Sequence, residues 1–141
     1  MKIRVFESAD EVAVIDLWKR CELVQPWNDP AKDIRRKLAF QGQFFLVGLL
    51  EDEIVASVMA GYEGHRGWAN YLAVAPEQRR QGLGRAIMAR AEELLAAVGC
   101  PKVNLQVRGD NTAVIDFYRT LGYEVEDRAS LGKRLEHDEP S

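Results

Sequence analysis

Residues 74–86 read V-A-P-E-Q-R-R-Q-G-L-G-R-A, and this stretch decides how the rest of the chain is laid out. The apolar run Tyr71-Leu72-Ala73-Val74 leads into it with the pattern of a buried strand. Pro76 stops that strand. Arg79 and Arg80 follow, then Gly82 and Gly84, then a long amphipathic pattern. Glycine lets backbone come close to a ligand with no Cβ in the way. The first N–H groups of a helix lack partners, and the helix dipole is positive at the same end. Two arginines and two glycines at the mouth of a helix therefore make an anion site, and the anion expected there is a pyrophosphate.

Spacing narrows the choice. A dinucleotide fingerprint needs a third glycine where Ile87 stands, and it needs its first glycine directly after the strand. A Walker loop needs a lysine after the last glycine, and Arg85 follows Gly84. The spelling that fits is [Q/R]-x-x-G-x-[G/A], met by Arg79-Arg80-Gln81-Gly82-Leu83-Gly84. This resembles the acetyl-CoA loop of the GNAT family of N-acetyltransferases. A second group, Asn111-Thr112-Ala113, Phe117-Tyr118 and Leu121-Gly122-Tyr123, resembles the far end of the same family's domain, in the same order. The resemblance covers about residues 44–123, and the N-terminal third matches in element order only. The pair P-W-N-D (26–29) and G-Y-x-G-H-R-G (61–67) is similar to a bacterial branch of the family labelled YpeA-like.

Composition bounds the rest. At 141 residues and 47% hydrophobic, the chain is sized for one domain, 1–141, with a substantial core. A net charge of -3 gives no general argument for nucleic acid, so the loop arginines are a local feature. No run of 18 apolar residues exists, so no membrane span is expected. Met1-Lys2-Ile3-Arg4-Val5 runs straight into a strand pattern with no signal-peptide core. Cys21 and Cys100 form no C-x-x-C pair, which fits a reducing cytoplasm. With His65 and His137 as the only histidines, no metal site is expected.

Taken in order, Ile3 and Val5 open a first strand. Ser8-Ala9-Asp10-Glu11 reads as a capping box for a helix carrying Val12, Val14, Ile15 and Trp18. Trp18 reads as core. Asp29-Pro30 reads as an N-cap and first turn of a second helix to about Phe40, whose basic run Arg35-Arg36-Lys37 reads as a solvated face. Strands are expected over 44–50, 54–60 and 68–74, an antiparallel meander, with a long loop at 61–67. A helix from Gly84 to Gly99 and a strand at Val103, Leu105 and Val107 make a right-handed crossover to a parallel strand. A fourth helix follows Asn111. Residues 123–125 and 129–135 are expected to form a last strand pair. The fold class is α/β (α+β): a mixed sheet, antiparallel first and parallel around the loop, with about four helices.

The resemblance implies an acetyl-CoA-dependent N-acetyltransferase that moves an acetyl group to a primary amine of a small molecule or protein, by direct attack in a ternary complex. It places the pyrophosphate on Arg79, Arg80, Gln81, Gly82, Leu83, Gly84 and Arg85. Pantetheine then lies beside Leu72, Ala73 and Val74, with a backbone N–H near Leu72 or Ala73 on the acetyl oxygen. Asn111 holds the cofactor arm or caps its helix. Tyr118 matches the tyrosine that protonates the leaving thiolate. Glu63 and His65 on one loop, and Glu22 and Asp29 on the other, are candidate general bases, with Glu63 put first, and Trp27, Asp29, Tyr62 and His65 are candidate acceptor residues. The two acidic, aromatic loops suit a cationic acceptor. Family members commonly dimerise, so a homodimer is also implied. The competing reading is a CoA-binding module that has lost catalysis and serves as a sensor or partner protein; the intact loop together with Tyr118 favours the enzyme.

Overall fold

A computed structural model describes residues 1–138. Five strands form one sheet in sequence order: β1 (Lys2–Val5), β2 (Phe45–Leu50), β3 (Glu53–Tyr62), β4 (Gly67–Val74) and β5 (Val103–Asn104). The first four are antiparallel neighbours, and β4 and β5 are parallel. Four helices pack on this sheet: α1 (Glu11–Arg20), α2 (Pro30–Ala39), α3 (Leu83–Ala97) and α4 (Thr112–Thr120). Among the described residues no helix is long and apolar enough to cross a membrane.

The strand sequences explain the layering. β2 is buried from Phe45 to Gly48 and β3 from Val55 to Ala60, as expected of strands covered on both faces. Alternate residues go to opposite layers. Phe45, Val47, Val55 and Met59 pack with Val14, Leu17 and Trp18 of α1 and Ile34 of α2. Leu46, Ala56, Val58 and Ala60 pack with Ile87, Met88, Ala91 and Leu95 of α3.

Several expectations are corrected by the structure. The capping box at the chain start is built one residue earlier: Glu7 and Asp10 exchange the bonds, around a short 3-10 turn, and α1 begins at Glu11. Asp10 is preferred because it also accepts two bonds from Arg4, at 2.7 and 2.9 Å. The long loop at 61–67 is a four-residue turn, because Gly61 and Tyr62 still pair with Trp68 and Gly67. β5 stops at Asn104, and its pairing with β4 ends at Trp68. Residues 123–125 and 129–135 form no strands. Leu131 and Leu135 are 93% and 92% exposed, so nothing buries a face that would pin their register.

Arg4 first, and the Glu7 N–H after it, hold the Asp10 carboxyl below the ordinary carboxylate range. Its contribution to stability is therefore full above about pH 4 and is lost as pH falls through its lowered value. Asp10→Ala is expected to cost about 2 kcal/mol, because Arg4 keeps its charge with only part of its surface in water. Urea unfolding at neutral pH measures this, and the variant should show a weaker loss of stability in acid than the parent.

Candidate active site

The site is built around an irregularity in β4. Ser57 of β3 pairs with Ala73, but Met59 pairs with Asn70, so Tyr71 and Leu72 together oppose Val58 alone. This is a bulge, and Tyr71 takes a left-handed φ of 52° to make it. A non-glycine residue there needs outside support. Three contacts supply it. Trp18 stacks on the Tyr71 ring at 3.9 Å between centroids. Ser57 Oγ donates to the Tyr71 carbonyl at 2.9 Å, and Trp18 Nε1 donates to the same Oγ at 2.8 Å. Ser57 and Trp18 are fully buried.

This relay has a directional consequence. In a trans peptide the carbonyl and the following N–H point opposite ways. With the Tyr71 carbonyl turned to Ser57, the Leu72 N–H points away from β3. On that outer side β4 pairs with β5 only at Gly67 and Trp68, so among the described residues no strand lies beside its edge from Ala69 onward.

The bare edge runs toward the arginine-glycine loop. Gly82 is the N-cap of α3 with φ of 78°, a conformation that favours glycine. Gly84 is set by packing: a Cβ there would stand 3.0 Å from Phe117 Cζ. Its absence lets α4 seat on the start of α3. Arg85 adds to that joint by donating to the Thr120 carbonyl at 3.0 Å. Arg79 reaches the Val74 carbonyl at 3.4 Å, and Arg80 turns the loop with a left-handed φ of 65°. Gln81 and Leu83 lie on either side of Gly82 in the same turn. Asn111 caps α4, accepting from the Val114 N–H at 3.3 Å.

Tyr118 packs in the same layer as Leu72 and Val74. Phe117 and Tyr123 meet its ring edge-on, at 5.2 and 5.6 Å. Burial pushes its phenol up to about 12.

The remaining candidates fall in two places. Asp29 caps α2 through the Ala31 and Lys32 N–H groups, and Trp27 beside it is 45% exposed. Tyr62 lies at the end of β3 and donates to the Gly64 carbonyl at 3.1 Å. Glu63 is exposed and closes the turn on itself, accepting the N–H groups of Arg66 and His65. Those bonds, Arg66 first, hold its carboxyl below the ordinary range, which weakens it as a base. His65 is exposed at the tip. Tyr62 and Glu63 line a cleft of about 210 Å³ between the end of α2 and the β3–β4 pair, together with Lys37, Phe40, Trp68 and Asn70.

Sequence reasoning missed the residues that join these places. The Tyr71 hydroxyl donates to Asp33 Oδ2 at 2.6 Å and accepts from the Asn28 amide. Burial comes first, then Asp33, in raising the Tyr71 phenol far above its ordinary value. Asp33 also accepts from Arg36 at 3.1 Å. The 26–29 loop is thus tied to β4 itself. Lys37 is half-buried, in contrast to Arg35 and Arg36. Its place three residues after the buried Ile34 was the available signal.

A model of the acetyltransferase (GNAT) family matches residues 12–123. An acetyltransferase of Sodalis glossinidius is 52% identical over 140 residues, which span 99% of each chain. Two solved structures are similar with a TM-score of 0.71 each. One is an aminoglycoside antibiotic N-acetyltransferase from Acinetobacter haemolyticus, at 17% identity over 96% of this chain and 100% of that one. The other is an N-acetyltransferase of a ribosomal-protein alanine from Escherichia coli, at 24% identity over 86% of this chain and 76% of that one. At this identity both show likeness of fold.

Ser57→Ala removes the atom that accepts from Trp18 and donates to Tyr71. Both partners then lose a buried hydrogen bond, and the cost expected is about 2 kcal/mol. Thermal or urea unfolding checks the magnitude. An unchanged midpoint would mean that stacking alone holds the bulge.

Proposed function

Because this chain belongs to the acetyltransferase (GNAT) family, we propose that it binds acetyl-CoA along β4 and transfers the acetyl group directly to a primary amine within a ternary complex. Among the described residues, the observation that carries this reading is the bare β4 edge. It begins at Ala69, contains the aimed Leu72 N–H, and ends where the Gly82 loop begins. An extended thiol arm fits such an edge as an added strand. Acetyl-CoA supplies the activated thioester and the pyrophosphate by which it is held.

The protein's own groups do the rest. The edge of Leu72, Ala73 and Val74 holds the arm by main-chain bonds. The open N–H groups at the start of α3, with Arg79 and Arg80, hold the pyrophosphate. The Leu72 N–H stabilises the negative charge that develops on the acetyl oxygen as the amine nitrogen bonds to the carbonyl carbon. The carbon–sulfur bond then breaks. Tyr118 donates toward the departing sulfur. A phenol at about 12 is a weaker acid than a thiol of ordinary pKa by about 5 kcal/mol, so Tyr118 keeps its proton and stabilises the departing sulfur by a hydrogen bond, and the thiolate takes its proton from water. Glu63, exposed and bonded to its own turn, is a poor base, and the amine gives its proton to water.

The first experiment is thermal unfolding with acetyl-CoA, with ATP and NAD as controls. At a hundredfold excess over Kd, acetyl-CoA should add about 2.7 kcal/mol, and the controls nothing. A rise with ATP alone would end the acetyl-CoA reading. Tyr118→Phe should lower kcat well beyond any change in KM for acetyl-CoA. Since burial keeps the phenol protonated, the parent should show no alkaline decline from Tyr118 below about pH 11. Glu63→Gln should leave the rising limb of kcat/KM against pH in place; a displaced limb would restore Glu63 as the base.

A further inference from the structure

Among the described residues, the cleft beside β4 holds one cation with no partner. Lys37 leaves the solvated run of α2 and folds over β3, with Nζ 3.1 Å from where a Gly61 Cβ would stand. Among the described residues, no carboxylate reaches it within ion-pairing distance, and burial without a compensating anion lowers its pKa. The acidic groups of this face are already committed. Asp29 caps α2, Asp33 serves Tyr71 and Arg36, and Glu63 holds its own turn. Glu63 shares the cleft, but its carboxylate stands in water, where its field is screened. The Gln41 amide is spent on both backbone groups of Tyr62. Phe40 and Trp68 give the cleft apolar walls.

We infer that this cleft binds the carboxylate of the amine acceptor, and that the acceptor is a short peptide-like molecule with a free C-terminal carboxylate. The inference rests on the acetyl-transfer reading and goes beyond it. A half-buried, unpaired ammonium is costly, and an incoming carboxylate relieves that cost with a charge-assisted bond. Geometry sets the length of the acceptor. Gly61 pairs with Trp68, and Trp68 is four positions before Leu72 along β4. At about 3.3 Å per residue, less the shortening of the bulge, Lys37 and the acetyl position are on the order of 10 Å apart. A single amino acid is too short to reach both. An extended tripeptide, with its amine at Leu72 and its carboxylate at Lys37, spans about that distance. The Asn70 side chain lies between the two ends and can serve the peptide's backbone.

The test uses triglycine and triglycinamide as a matched pair, with thiol release from acetyl-CoA as the assay and calorimetry for acetyl-CoA binding. Triglycine should have a kcat/KM about tenfold or more above the amide, as expected for one charge-assisted bond. Lys37→Met, which keeps the length of the side chain, should bring triglycine down to the level of the amide. Equal use of the two by the parent, or a preference that survives Lys37→Met, overturns the inference. So does failure to acetylate either while acetyl-CoA still binds. Failure of acetyl-CoA to bind at all overturns the transfer reading itself.

Discussion

A buried indole N–H and a strand carbonyl thrown out of register need each other, and Ser57 lies between them. Without the hydroxyl, Trp18 Nε1 and the Tyr71 carbonyl would both be stranded in the driest part of the molecule. With it, the bulge becomes a stable part of β4. The other peculiarities of the sheet follow. β4 pairs with β5 at Gly67 and Trp68 alone, β5 ends after two residues, and among the described residues one long edge is left without a strand.

That edge divides the labour of the two layers. On one side, α3 and α4 are drawn together by the close approach of Phe117 to Gly84 and by Arg85 on Thr120, which sets Tyr118 against the end of β4. On the other side, α1, α2 and the loop between them bring Trp18, Asn28 and Asp33 to the same strand, and α2 carries Lys37 to the cleft beside it. Chemistry that joins a large anion to an amine has room to approach from both layers and meet at one backbone N–H.

The strand end, glycine turn and helix start around Gly82 were legible because their signals are local, all within a dozen residues. The order of β2, β3 and β4 was legible for the same reason, since each follows its antiparallel partner directly, whereas two helices stand between β1 and β2. The bulge was not. Its support comes from Ser57 and from Trp18, which is 39 positions before Ser57, and neither residue type announces that duty. Trp18 was rightly read as core, but its N–H was not followed to a partner. Lys37 was hidden by its neighbours, because a run of three basic residues reads as one face although a helix turns about 100° at each step. The last strand pair failed for a different reason: Leu131 and Leu135 found no surface to cover.

Tyr71 has an allegiance to both halves of the molecule. Its backbone forms the edge of the sheet, while its hydroxyl is held by Asn28 and Asp33 from the other layer. In evolutionary terms, the 26–29 loop and α2 are not an exchangeable cassette. A relative that altered Asn28 or Asp33 to suit a new acceptor would also loosen the residue that aims the Leu72 N–H. Changes of specificity in this lineage should therefore come as correlated substitutions, with position 71 changing in step with positions 28 and 33.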